Sequence, residues 1–147
     1  MMIQYKEVSP DKIDLIKPLW EALNRLHLNR SVNFTEDFSS FTFEWRKKKL
    51  LEKEKIRIMI ARESDVLVGY CIASVNGDVG EIDSLFVQSE YRKMGIGEEL
   101  MRRSIRWVEL FEPEEISLKV AAGNEAVFAF YSRFNFYPSS TKLRYKK

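Results

Sequence analysis

The sequence predicts an α/β domain of the mixed (α+β) kind: one central, mostly antiparallel sheet of six or seven strands flanked by about four helices. Three observations carry this expectation. Residues 56–62 and 66–75 are β-rich runs joined by Glu63-Ser64-Asp65, and Asn76-Gly77-Asp78 then turns the chain into a third run at 81–87. Ser9-Pro10-Asp11 is a strong helix start, with a hydroxyl cap, proline in the first turn and an acid behind it. From Glu81 onward the order is strand, helix, strand, a crossover that sets its two strands parallel.

The elements follow in order. Residues 3–8 alternate apolar and polar side chains and read as a first strand. The helix opened at Ser9 carries Ile13, Ile16, Trp20, Leu23 and Leu26/His27 at three- and four-residue spacing and runs to near Asn29. Residues 29–40 are polar and irregular, with Phe34 and Phe38 embedded. A second helix spans 41–53, its basic run at 46–49 forming a solvated face. After the three-stranded meander, Ile96, Leu100, Ile105, Val108 and Phe111, widened by Met101 and Trp107, mark an amphipathic helix that Pro113 stops. Residues 116–120 form a fifth strand. Gly123-Asn124 opens a last helix, with Asn124 as its cap and Val127, Phe130, Tyr131 and Phe134 as its core stripe. Residues 136–145 read as one or two short strands broken by Pro138-Ser139-Ser140.

Composition narrows the function classes. A chain of 147 residues suits a single domain, 1–147, and 45% hydrophobic with 31% charged residues describes a globular chain. Its one cysteine, Cys71, excludes an intrachain disulfide, fits a reducing cytoplasmic setting and reads as a small core residue. One histidine, His27, and one cysteine cannot furnish the usual ligands of a structural zinc site, so no metal is expected. No Gly-x-Ser-x-Gly elbow supports a serine hydrolase. The first residues hold no apolar h-region, and the apolar stretch at 66–75 is too short to span a bilayer, so neither a secretory signal nor membrane insertion is expected. A net charge of +2, from 24 basic and 22 acidic residues, does not mark a nucleic-acid binder.

The chemistry-bearing stretch is Glu81-Ile-Asp-Ser-Leu-Phe-Val87 followed by Gln88-Ser-Glu-Tyr-Arg-Lys-Met-Gly-Ile-Gly97. It places Arg92-x-x-Gly95-x-Gly97 between a strand and a helix. The first N–H groups of a helix lack intrahelical acceptors and sit at the positive end of its dipole. Glycines there let backbone approach a phosphate, and Arg92 adds a cation. Alone, such a motif reads equally as a loop with two turn glycines; its context is what makes it a phosphate loop.

With these residues in place, the chain resembles the GCN5-related N-acetyltransferase (GNAT) superfamily, whose Gln/Arg-x-x-Gly-x-Gly/Ala loop wraps the pyrophosphate of acetyl-coenzyme A. The order of elements from Ile3 to Tyr145 is similar to the family's, and Asn124-x-x-Val127-x-x-Phe130-Tyr131 resembles its second cofactor-side motif. One departure stands out: the family's Tyr-x-x-x-Gly-Phe is here Tyr131-Ser-Arg-Phe-Asn135-Phe136, with asparagine at the left-handed position. The resemblance implies that Arg92, Lys93 and the amides of Met94, Gly95, Ile96 and Gly97, with Glu98, hold the pyrophosphate. It implies that backbone groups of Leu85, Phe86 and Val87 pair with the pantetheine arm like an added strand, and that Asn124, Phe128 and Tyr131 lie on the cofactor side.

Tyr131 matches the family's general acid, which protonates the departing thiolate; the plainer reading is a helix tyrosine buried by its ring. A lysine-like amine is neutral at pH 7 in only roughly one molecule in a few thousand, so attack needs a base or a site that depresses the amine's pKa. Glu81, which aligns with the family's catalytic glutamate, and Asp83 are the candidates, a water chain being the alternative. The implied function is acetyl transfer from acetyl-CoA to a primary amine by direct attack. A small-molecule acceptor is favoured over a protein N-terminus or lysine, and a module that senses acetyl-CoA without turnover is the third reading. Neither a nucleic-acid nor a membrane partner is expected, and a homodimer is left open.

Overall fold

The computed structural model describes residues 2–147. It contains one sheet in the order β1-β2-β3-β4-β5. The strands are β1 (Ile3–Val8), β2 (Lys55–Glu63), β3 (Val66–Asn76), β4 (Val79–Val87) and β5 (Glu115–Leu118). Neighbours are antiparallel except β4 and β5, which are parallel, as the crossover requires. Both expected hairpins close in two residues. Glu63 pairs with Val66 around Ser64-Asp65, where Ser64 has φ 53°; Asn76 pairs with Val79 around Gly77-Asp78, where Gly77 has φ 61°.

Helices cover both faces: α1 (Lys17–Arg30), α2 (Thr35–Ser40) and α3 (Phe43–Leu51) belong to the segment between β1 and β2, α4 (Ile96–Glu109) links β4 to β5, and α5 (Phe128–Ser132) follows β5. On one face Ile13, Ile16, Leu19, Trp20, Phe43 and Leu50 pack on Ile58, Ile60, Tyr70 and Ile72. On the other, Ile96, Leu100, Met101 and Val108 of α4 pack on Met59, Cys71, Ala73 and Val75. Cys71 is fully buried, and burial pushes its thiol up to about 12, so it is the core residue its sequence context suggests. Among the described residues, no helix is long and apolar enough to cross a membrane.

Four sequence expectations are corrected. The first helix is not continuous: Pro10–Ile16 is a 3-10 segment, non-helical at Lys12, and the α-helix begins only at Lys17. Pro18 explains this, since it cannot donate to the turn before it and its ring crowds that turn's carbonyl. The polar stretch before Phe41 holds a short helix, α2, whose Glu36 and Asp37 suit a helix start. The fifth strand is shorter than expected, four residues. No strand forms between Phe136 and Tyr145, so the sheet has five strands rather than six or seven. Pro138 removes a ladder donor there, Leu143 and Tyr145 stay about nine-tenths exposed, and Arg144 is drawn to Asp37 instead.

The left-handed turn at Asn135 is present. Asn135 has φ 67°, its N–H donates to the Ser132 carbonyl, and Phe136 N–H donates to Tyr131. This is the double bond pattern of a Schellman C-cap, so asparagine fills the family's glycine position without loss of the turn.

Gly80 sets how closely α4 approaches the sheet. A Cβ there would lie 2.2 Å from Val108 Cγ1 and 3.3 Å from Pro113. Gly80→Ala is expected to destabilise the fold by about 1–3 kcal/mol through overpacking. A lower denaturant midpoint with an unchanged slope would show it; an unchanged midpoint would mean α4 can retreat freely.

Candidate active site

The site begins where two parallel strands part. β5 pairs with β4 only from Val79↔Glu115 to Ile82↔Leu118. Beyond that point β4 continues to Val87 with β3 alone, through Leu85↔Cys71, Phe86↔Tyr70 and Val87↔Gly69. The β3–β4 register slips between Ile72↔Ser84 and Ala73↔Ile82, so Asp83 is an extra, bulged residue. The outer edge of β4 from Asp83 to Val87 is therefore open to an extended ligand that pairs as a strand does. Leu85, Phe86 and Val87 lie on this edge. At its end Arg92 Nε donates to the Val87 carbonyl at 2.9 Å, and the guanidinium lies 5.3 Å from the Phe86 ring centre. Arg92 is thus tied to the strand end as well as to the loop.

The start of α4 faces the same opening. Gly95 caps the helix at φ 80°, ψ 6°, without a side-chain cap, and Lys93 before it has φ 65°. The first helical bond runs from Glu99 N–H to the Gly95 carbonyl at 3.0 Å, so the amides of Ile96, Gly97 and Glu98 precede it. A Cβ at Gly95 would meet nothing within 4 Å, whereas one at Gly97 would touch Phe130 and Val87 at 3.6 and 3.7 Å. Gly95 is needed for its backbone angle, and the space before it is empty. An uncapped helix start facing open space fits a diphosphate. The acids of this first turn are directed along the helix: Glu98 pairs with Arg102, and Glu99 with Arg103 at 3.4 Å. Met94 is half exposed beside the turn.

On the α1/α3 face, Glu81 and Asp83 do converge, on a partner the sequence did not point to. Lys53, just beyond α3, donates to Glu81 Oε1 at 2.9 Å and to Asp83 Oδ1 at 2.6 Å. The Asp83 side chain is fully buried; those of Glu81 and Lys53 are about one-fifth exposed. Burial, reinforced by the Glu81 charge, holds the Asp83 carboxyl above its usual range despite Lys53. Ser74 eases that charge from nearby, although its hydroxyl makes no hydrogen bond of normal geometry. Lys53 itself is raised: burial opposes its charge, but the two carboxylates outweigh that. Arg46 of α3 donates to the Asp83 carbonyl at 3.2 Å, gripping the bulge, and Tyr70 and Ser84 share a 2.7 Å hydroxyl bond beside it. Position 53 fell inside the expected second helix; only tertiary packing brings its ammonium to β4.

Tyr131 lies on the opposite face, its ring edge-on to Phe130 and Phe136. Burial, with a small contribution from Cys71, pushes its phenol up to about 12. Asn124 does not cap the last helix. Its Oδ1 accepts from Arg30 at the end of α1, and a 3-10 turn, Glu125–Val127, precedes α5. Gly123, at φ 96°, presses against the same residue: a Cβ there would lie 2.3 Å from the Arg30 carbonyl. Phe128 starts α5 and is partly exposed. The segment between α1 and α3 is thereby anchored at both banks of the opening, to the post-β5 loop through Arg30 and to the β4 bulge through Arg46. Among the described residues, no group of three His, Cys, Asp or Glu side chains could hold a metal ion.

Comparison with known proteins gives this geometry a context. Residues 19–136 match the family model described as the Acetyltransferase (GNAT) family. A candidate ribosomal protein bS18-alanine N-acetyltransferase of Bacillus subtilis (strain 168) is 27% identical over 111 residues, which are 73% of this chain and 74% of that protein. In fold, the chain is similar to the PaiA N-acetyltransferase of Thermoplasma acidophilum solved with coenzyme A, at TM-score 0.70 and 22% identity, over 91% of this chain and 89% of that one. It is also similar to an aminoglycoside acetyltransferase from an uncultured soil metagenomic sample solved with trehalose, at TM-score 0.69 and 17% identity, over 97% and 95% of the two chains.

Proposed function

Because the chain belongs to the GNAT acetyltransferase family and is an acetyl-CoA-dependent N-acetyltransferase, we propose that it acetylates a small cationic amine at the mouth between β4 and β5. The observation that carries the reading is the loss of β5 pairing after Ile82↔Leu118, which leaves the β4 edge open beside the uncapped start of α4. In this reading the amides at Gly95–Gly97 and Glu98, with Arg92 and Lys93, hold the diphosphate. Leu85 to Val87 pair with the arm, and Asn124 and Phe128 line its far side.

Acetyl-CoA supplies an activated acetyl thioester; the chain's residues orient it and move protons. The acceptor's nitrogen attacks the thioester carbonyl, the carbon–sulfur bond breaks, and no acyl-enzyme forms. Glu81, the carboxylate of the ion cluster with access to solvent, takes the proton the amine loses. Asp83, buried and bound to the same Lys53, fixes that carboxylate's surroundings. Tyr131 keeps its proton throughout the working pH range and offers it to the departing sulfur. Positioning supplies much of the rate.

A small acceptor is favoured because acidic and aromatic side chains, Glu36, Asp37, Phe34, Phe38 and Trp45, cluster in the segment that bridges the opening. Trp45 is partly exposed and stacks on Phe41 at 4.8 Å. A protein N-terminus is the second reading, favoured by the name of the Bacillus subtilis relative. Incubation with acetyl-CoA and separate libraries of small amines and peptides, read by mass spectrometry, decides between them: product from peptides only would overturn the small-amine reading. Glu81→Gln retains the bond to Lys53. It is expected to lower kcat about 10–100-fold while coenzyme affinity is unchanged. An unchanged kcat would assign the proton to Asp83 or to water.

A further inference from the structure

The chain already holds a cation on the segment between α1 and α3, and the cation is its own. The tail residue Arg144 donates from Nη1 to Asp37 Oδ2 at 2.5 Å and from Nη2 to Asp37 Oδ1 at 3.3 Å, a fork-to-fork pairing across more than a hundred residues of sequence. The same guanidinium lies 3.9 Å from the centre of the Phe34 ring. A carboxylate beside an aromatic face is a built receptor for a flat or compact cation. The receptor also has support: Asn24 donates to the Phe38 carbonyl at 2.8 Å and holds α2 against α1, while the Phe38 ring lies edge-on to His27 and Phe41. The tail that delivers Arg144 adopts no strand, and its apolar alternates, Leu143 and Tyr145, face solvent.

The position of the clasp matters more than its strength. Phe34 and Asp37 lie between Arg30, which touches Gly123 and Asn124 on the β5 side, and Arg46, which grips the Asp83 bulge on the β4 side. The segment that carries them is thus tied to both banks of the opening. We propose that Asp37 and Phe34 form a subsite for a second cationic group of the acceptor, a small di- or polyamine, and that Arg144 occupies this subsite as a competing strap until the acceptor displaces it. The proposal rests on the small-amine reading above and narrows it: one nitrogen of the acceptor reacts while another is held about one helix away.

The test uses the full chain and spermidine as a polyamine probe, hexylamine as a single-charge probe and an arginine-containing peptide as a macromolecular one. Binding is followed by calorimetry and turnover by acetyl-CoA consumption. Arg144→Ala is expected to tighten spermidine binding about five- to tenfold. Asp37→Asn is expected to weaken it at least about tenfold, and Phe34→Leu about threefold. Hexylamine and acetyl-CoA affinities should stay within about twofold, as neither engages the clasp. Unchanged spermidine binding in Arg144→Ala, or equal effects on hexylamine, would overturn the subsite. Response to the peptide but not to spermidine would overturn the small-molecule acceptor. If calorimetry follows the expected pattern while no amine is acetylated, the subsite stands and the acceptor reading falls. If amines are acetylated and the variants change nothing, the reverse holds.

Discussion

Gly95→Glu is expected to abolish coenzyme binding, with the dissociation constant rising at least about a hundredfold, equivalent to about 2.7 kcal/mol. Three effects act in the same direction. At φ 80° a residue with a Cβ adopts a left-handed conformation that costs about 1–2 kcal/mol. The space before Gly95 is open, so the new side chain would occupy the volume a diphosphate needs. Its carboxylate would also sit at the helix end that attracts anions, repelling the ligand and competing for the same amides. Gly95→Ala separates these terms. It keeps the backbone strain without the charge or the bulk, and should cost only a few-fold in affinity. Calorimetric titration with coenzyme A measures both. Unchanged affinity in Gly95→Glu would remove the phosphate-loop assignment and the open-edge reading with it.

Tyr131→Phe is expected to lower kcat about a hundredfold while coenzyme affinity stays within about twofold. The phenol is raised from 10.0 to about 12 by burial, so it is fully protonated whenever the amine acceptor can react. A pantetheine-like thiol has a reference pKa near 8.5, so the departing thiolate is the weaker base of the two. Tyr131 therefore acts by donating a hydrogen bond as negative charge builds on sulfur, while keeping its proton. The stability consequence has a definite sign. A group with a raised folded pKa contributes below its unfolded value, here 10, and loses that contribution as pH rises through about 12. The thermal stability of Tyr131→Phe should match the parent between pH 6 and 9. A kcat equal to the parent's would leave Tyr131 as packing alone.

Much of this site could be read without coordinates because its signals are local. Two-residue hairpins, a proline-started helix, a positive-φ glycine before an amphipathic helix and an asparagine at a C-cap each depend on a few neighbouring residues. What escaped depends on distant ones. Lys53 reaches Glu81 and Asp83 only after α3 has packed on the sheet, and no spacing in the chain announces it. Asn124 looks like a cap in sequence, yet Arg30, ninety-odd residues earlier, takes its carbonyl oxygen. Residues 136–145 read as one or two short strands broken at Pro138-Ser139-Ser140. That reading lost to Pro138 and to an ion pair at Asp37 that a local pattern cannot foresee. The break at Pro18 is local too, but the apolar spacing runs unbroken across it.

The strand order of the sheet has a kinetic consequence. Strands β2, β3 and β4 follow one another in the sheet as they do in the chain, and both tight turns between them close minimal loops. Such contacts form at small entropic cost and early. β1 and β5 each pair only across intervening helices, and the docking of β5 is what leaves the β4 edge half covered. The cleft beside β4 is thus completed only after the β2–β4 meander, which does not depend on it.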